Sequence, residues 1–217
     1  MGRLLLIDAV VAAILLGIWY LWFRRFNHRK GTDVLRWVQA ACAGKGRIVE
    51  SHWRNSSLLL ASLHLPSRWF EDARLTVRLL PRPFPMHWML GRWRKQSETL
   101  TFEADLGCAP GFRLDVLHHR WSGQNARIPK NKKQEWIISK PGPVVLTTRE
   151  RWAHELNPVV NTLLTSRDKN FLSVRFASES PHFSATVDLQ KLSDPHDAQE
   201  LLVGLLELAE SASAKQL

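Results

Sequence analysis

The chain has 217 residues, 30 of them Lys or Arg against 20 Asp or Glu, for a formal charge of +10. At 45% hydrophobic and 23% charged residues it is too apolar for a disordered chain, and two cysteines are too few for a disulfide scaffold or a Cys-rich zinc module.

The first element is an apolar run, Leu4 to Phe23, reading LLLIDAVVAAILLGIWYLWF. As a helix it rises about 30 Å at roughly 1.5 Å per residue, the thickness of a bilayer's hydrocarbon core. Its one charge, Asp8, costs about 2.5–3.5 kcal/mol at mid-bilayer and less near an end, whereas its Leu, Ile, Val and Phe residues together contribute roughly 4–7 kcal/mol. Insertion wins, and Asp8 reads as an interfacial carboxylate. Trp19, Tyr20 and Trp22 gather at one end, as in an aromatic belt. The run outlasts a signal peptide's apolar region and meets Arg24 with no small-residue cleavage site, so an uncleaved anchor is expected. Ala13 and Gly17 form a weak small-xxx-small pair for helix association. Arg24, Arg25, Arg29 and Lys30 follow the run and only Arg3 precedes it. The positive-inside rule therefore predicts a single-pass membrane protein with its C-terminal domain in the cytoplasm.

Asn27 to Gly31 reads as a short polar link, after which Thr32 or Asp33 caps a helix carrying Val34, Leu35, Trp37, Val38 and Ala41, ended by Gly44 and Gly46. Strands are expected over 47–54 and 58–65 around the turn Asn55-Ser56-Ser57, and over 75–80. The segment 81–95, PRPFPMHWMLGRWRK, reads as a loop or a loop into a short helix, because its prolines block helix and central strand alike. Residues 99–106 and 112–117 alternate cleanly and flank a Gly-Cys-Ala-Pro-Gly turn, so they are expected to pair as a hairpin. Residues 122–135, with Lys130, Lys132 and Lys133, read as an exposed basic loop, followed by short strands at 136–138 and 144–147. A helix is expected from Thr148, interrupted by Pro158 and resumed over 159–164. A second hairpin spans 171–177 and 183–189, and a last helix begins at Asp194 with Leu201, Leu202, Leu205, Leu206 and Leu208 as its buried stripe and a frayed tail from Ser211. Helix, turn and hairpin recur at 32–65 and 159–189, a weak sign of an α-β-β duplication. The predicted architecture is α+β: an anchor and basic juxtamembrane segment over 1–30, then a domain over 31–217, mainly antiparallel sheet with packed helices.

Charge is uneven, with 25 basic and 11 acidic residues over 1–151 against 5 and 9 over 152–217. Ten tryptophans accompany a single tyrosine. Tryptophan suits the headgroup boundary, and each Lys or Arg near an anionic leaflet contributes about 1 kcal/mol. The strongest candidates for contact with a membrane surface or a protein partner are Trp88, Arg92, Trp93, Arg94 and Lys95, together with Arg24, Arg25, Arg29 and Lys30. The plainer reading is that the tryptophans fill the core under solvated arginines. Nucleic acid is an unlikely partner, since no binding motif accompanies the basic residues.

The chemistry of catalysis is hard to find. His118 and His119 point to opposite faces of a strand, and His154-Glu155 lacks the second histidine of a zinc-protease motif because position 158 is proline. Cys42 and Cys108 have no neighbouring base. No phosphate-binding glycine loop or nucleophile elbow occurs. No catalytic residue, metal or cofactor is predicted. The expectation is a non-enzymatic anchored domain, with a tethered enzyme of distributed active site as the alternative.

Overall fold

A single helix, α1 (Gly2–Ala41), carries both the apolar run and the first helix of the domain. The computed structural model describes residues 2–42, 46–65, 70–107, 109–118, 136–139, 144–149, 171–192 and 194–213. The expected polar link at Asn27–Gly31 is helical, and α1 crosses the boundary at residues 30 and 31 without a break. The physical reason is tertiary. Asn27 and Gly31 are both buried and fall on the same face as Val34, Val38 and Cys42, a continuous stripe at helical spacing. Residues whose composition suggested a solvated linker are the first part of a docking surface. Gly31 is required there, because a Cβ on it would lie 2.6 Å from the Trp53 ring.

The other half of α1 behaves differently. From Leu6 to Ile18 every side chain is exposed, so the described domain covers no part of it. This helix is long and apolar enough to cross a membrane, with a mean hydropathy of 2.1, and none of its apolar window is buried, unlike the mostly buried core helix of a soluble protein. Gly17 has open space around it.

Nine strands follow among the described residues: β1 (Arg47–Asn55), β2 (Leu58–His64), β3 (Phe70–Arg78), β4 (Thr99–Leu106), β5 (Leu114–His118), β6 (Trp136–Ser139), β7 (Val144–Arg149), β8 (Phe171–Phe176) and β9 (Phe183–Asp188). They form one sheet in the order β1-β2-β3-β4-β9-β8-β5-β7-β6, antiparallel throughout. Helix α2 (Pro85–Trp93) links β3 to β4, and α3 (Pro195–Ser213) follows β9 after a 3-10 turn. The α+β architecture with a mainly antiparallel sheet is as expected.

The expected hairpin of 99–106 with 112–117 does not form. Each segment presents the face its alternation predicts, with Phe102, Ala104, Leu114 and Val116 buried, but β4 pairs with β3 and β9 while β5 pairs with β8 and β7. Alternation determines which face of a strand is buried and leaves both of its edges undetermined. The β8–β9 hairpin, which is where it was expected, inserts between them. Smaller corrections follow the same logic. β3 begins at Phe70 instead of residue 75, and Thr148 lies in β7 instead of starting a helix. α3 holds its helical form to Ser213, with Ala212 buried where a frayed tail was expected. The basic loop 122–135, the helix over 159–164 with its part of the duplication, Cys108, His119 and His154 all lie outside the described residues.

α3 starts as its sequence signs suggested, with the Asp197 amide donating to the Asp194 carboxylate at 2.9 Å. Its stripe of Leu201, Leu202, Leu205 and Leu208 packs with Val34 and Val38 of α1 against one face of the sheet, over Leu63, Leu75, Phe102 and Val187. Only about 20 Å³ of space remains among these groups, room for about one water with no polar atom to hold it.

Gly31→Ala gains up to about 1 kcal/mol of helix propensity but forces an overpacked contact worth about 1–3 kcal/mol. Thermal melts are expected to show net destabilisation in the parent and stabilisation in a Trp53→Leu background, where the ring is gone.

Candidate functional site

The lower end of the sheet, from which the apolar half of α1 projects, gathers the β1–β2 turn, the whole β3–α2–β4 connection and the end of β9. α2 is built by its prolines. Phe84 is extended at the N-cap, and Pro85 opens the helix at a position that needs no amide donor. The helix closes with the Lys95 amide on the Arg92 carbonyl and the Gln96 amide on the Gly91 carbonyl, which places Lys95 at a φ of 50°. That left-handed position favours glycine, and a side chain there costs about 1 kcal/mol.

The orientation of α2 is inverted relative to an ordinary surface helix. Met86, Met89, Leu90 and Trp93, at helical spacing, all point outward, with Met86 84% and Trp93 83% exposed. The inner face is Gly91 and half-buried Trp88. Gly91 allows close approach, since a Cβ on it would lie 3.2 Å from the Gln96 amide oxygen.

Rings from both helices lock α2 beside α1. Trp88 lies 6.1 Å from Trp19 and Phe84 lies 5.9 Å from Tyr20. The Trp19 indole donates to the Arg82 carbonyl at 3.0 Å, and the Arg82 guanidinium sits 4.9 Å over the Phe26 ring. Fully buried Asn27 then uses both ends of its amide. Its Nδ2 donates to the carbonyls of Ser56 and Leu80, each at 3.0 Å, and its Oδ1 accepts from Arg82 at 3.2 Å.

Beneath this lies Glu98, only 2% exposed. One carboxylate oxygen meets Lys30 of α1 at 2.5 Å; the other meets Arg82 at 2.7 Å and accepts the Leu80 amide at 3.1 Å. Burial pushes the Glu98 carboxyl up, but the hydrogen bonds from Lys30 and Leu80 and the two cations outweigh it and hold the carboxyl below its ordinary value. His28 stacks on Trp53 at 4.2 Å, and burial with the nearby Arg24 lowers its pKa.

The structure divides the expected contact residues. Arg24, Arg25, Arg29, Arg92, Trp93, Arg94 and Lys95 are exposed. Lys30 is turned inward onto Glu98, so its charge is used in holding the helix. Trp88 is half-buried between Trp19 and Arg92. Asn27 and Glu98 escaped notice. For Asn27 a signal existed in its spacing to Gly31, Val34 and Val38. Glu98, in a polar stretch before β4, carried none.

Catalytic groupings are thin among the described residues. Ser180, Asp105 and His182 meet at the β8–β9 turn, but Ser180 donates straight to Asp105 at 2.9 Å and His182 Nδ1 accepts the Leu106 amide at 3.2 Å. The serine hydroxyl is thus bonded to the carboxylate and not to the imidazole, the reverse of a triad's order, and the cluster pins the turn. Burial pushes the Cys42 thiol up, away from the reactive thiolate. No group of His, Cys, Asp or Glu among the described residues could hold a metal. No known protein family matches the chain, and no curated protein matches it.

Because the Glu98 carboxyl sits below its ordinary value in the fold, its stabilisation is complete above about pH 4.3 and is lost as pH falls through the folded value. Melts of the full chain in neutral detergent should show this loss. Glu98→Gln should flatten the acid slope and cost about 3 kcal/mol at pH 7, by stranding two cations.

Proposed function

We propose that this chain is a non-enzymatic, single-pass membrane protein whose domain is seated on the anionic, cytoplasmic surface of the membrane it crosses, with α2 as an interfacial foot. The observation that carries this reading is the outward apolar stripe of α2 beside Trp19 and Tyr20.

Length supports it. The exposed stretch Leu6–Ile18 rises only about 20 Å of the roughly 30 Å that a hydrocarbon core requires. A span of the whole run, Leu4–Phe23, includes residues 19–23, where α2 is attached. A bilayer spanned by α1 therefore reaches α2, and Met86, Met89, Leu90 and Trp93 enter its boundary.

Magnitudes assign the roles. Burying a large apolar side chain contributes about 1.5–3 kcal/mol, against about 1 kcal/mol for each surface Lys or Arg. Apolar contact seats the foot, and Arg24, Arg25, Arg29, Arg92, Arg94 and Lys95 favour an anionic leaflet. A lysine at the strained position 95, where glycine fits better, agrees with a charge being useful there. The basic residues on the domain side of the run support the cytoplasmic side by the positive-inside rule.

In nanodiscs containing brominated lipid, the fluorescence of the full chain should be quenched, and Trp93→Phe should remove a measurable share of that quenching. Quenching that Trp93→Phe leaves unchanged sinks the foot. A C-terminal tag should stay protected from protease in cells whose outer layer is opened and whose inner membrane is intact; a digested tag moves the domain to the other side.

A further inference from the structure

The sheet has two faces, and the described helices α1 and α3 pack on one. On the other, at the lower end, the described residues enclose a groove of about 910 Å³, within the usual range of small-ligand sites. Its floor is a ladder of polar side chains set by the strand register: Arg78 pairs with Thr99, Thr76 with Thr101, and Thr101 with Thr186. The Thr101 and Thr186 hydroxyls lie 3.2 Å apart. Arg94, Gln96 and Ser97, just past α2, form a wall.

Charge is graded along the groove. The end of the groove at the lower edge of the sheet, called its mouth below, holds Arg78 and Arg94. Glu103, the one carboxylate among the described lining residues, lies four residues further along β4 than Thr99, about 14 Å up the strand. An anion is therefore favoured at the mouth and disfavoured at the far end, with hydroxyls between.

The height of the mouth narrows the ligand. Asn27, which hydrogen-bonds Ser56 and Leu80 beside the mouth, stands four residues past Phe23, about 6 Å beyond the apolar run. A headgroup layer is about 5–7 Å thick on each side of the hydrocarbon. On the seating proposed above, on which this inference rests, Arg78 and Arg94 stand at the level of the lipid phosphates.

We propose that this groove is a binding site for the headgroup of an anionic phospholipid, with the phosphate diester at Arg78 and Arg94 and the headgroup hydroxyls on Thr76, Thr99 and Thr101. Guanidinium groups suit phosphate through paired donors, and threonine hydroxyls donate to or accept from a polyol. The α2 foot brings the mouth to the lipid, so the site samples the leaflet in which the protein is anchored.

The test uses the full chain in neutral detergent micelles, where the seating of α2 on a bilayer plays no part. Short-chain phosphatidylglycerol, short-chain phosphatidylcholine and glycerol 3-phosphate are titrated separately by calorimetry. Phosphatidylglycerol should fill a single saturable site, and Arg78→Gln should weaken it about ten-fold, as should Arg94→Gln on a separate element. Phosphatidylcholine and glycerol 3-phosphate should bind much more weakly. Equal uptake of both lipids that neither variant changes means partition into the micelle and overturns the site. Glycerol 3-phosphate binding as tightly as the lipid makes it a site for a soluble phosphate and overturns the lipid assignment. If Trp93 quenching fails while this titration succeeds, the groove stands and the foot falls.

Discussion

A single buried carboxylate joins the three parts of this molecule. Glu98 belongs to the strand side, Lys30 to the long helix and Arg82 to the proline-rich connection that leads into α2. Buried ion pairs are poor sources of net stability, because desolvation consumes most of the Coulombic gain. The apolar stripe of Val34, Val38 and Cys42 supplies the attraction that docks the helix. A stripe of that kind tolerates sliding, however, and a shared carboxylate with two specific cations does not. Glu98 selects one register of helix on sheet, and Asn27 repeats the selection one turn away with three hydrogen bonds.

That register aligns everything at the lower end. The ring contacts from Trp19 and Tyr20 hold α2 beside the end of the apolar run, and the chain leaving α2 forms the wall of the polar groove. α2, the ring of basic residues and the lower end of the groove thus follow one another along about 12 Å of α1, from Trp19 to Asn27. The proposals of a seated domain and of a headgroup site both draw on that fixed order, and the described helices α1 and α3 pack on the face opposite the groove.

Much of the fold was legible because its patterns are periodic. The twenty-residue apolar run, the alternation of β4 and β9 and the leucine stripe of α3 each report a local geometry that the structure keeps. What could not be read was partnership. The clean alternation of β5 is equally compatible with β4 or β8 as its neighbour, and the intervening Gly-rich turn favoured the wrong one. The polar composition of Asn27 to Gly31 resembled a linker because the groups that satisfy it, on Ser56, Leu80 and Trp53, lie far along the chain. The exposed part of the candidate site was visible as Trp and Arg clustering in one segment. Its inward-facing members, Lys30 and Glu98, depend on a contact across 68 residues of sequence that no local pattern encodes.

The unbroken helix turns a tether into a shaft. A flexible linker of any length would leave the domain free to rotate, and only its reach would matter. Here each residue of α1 advances the domain by about 1.5 Å and turns it by about 100°. Between Phe23 and Asn27 the angular phase of the helix is therefore constrained as tightly as its length. One residue more would swing the groove mouth from one side of the shaft toward another and pull Trp19 away from the Arg82 carbonyl. Torque applied within the bilayer, by tilt or by a neighbouring helix, would reach the sheet directly.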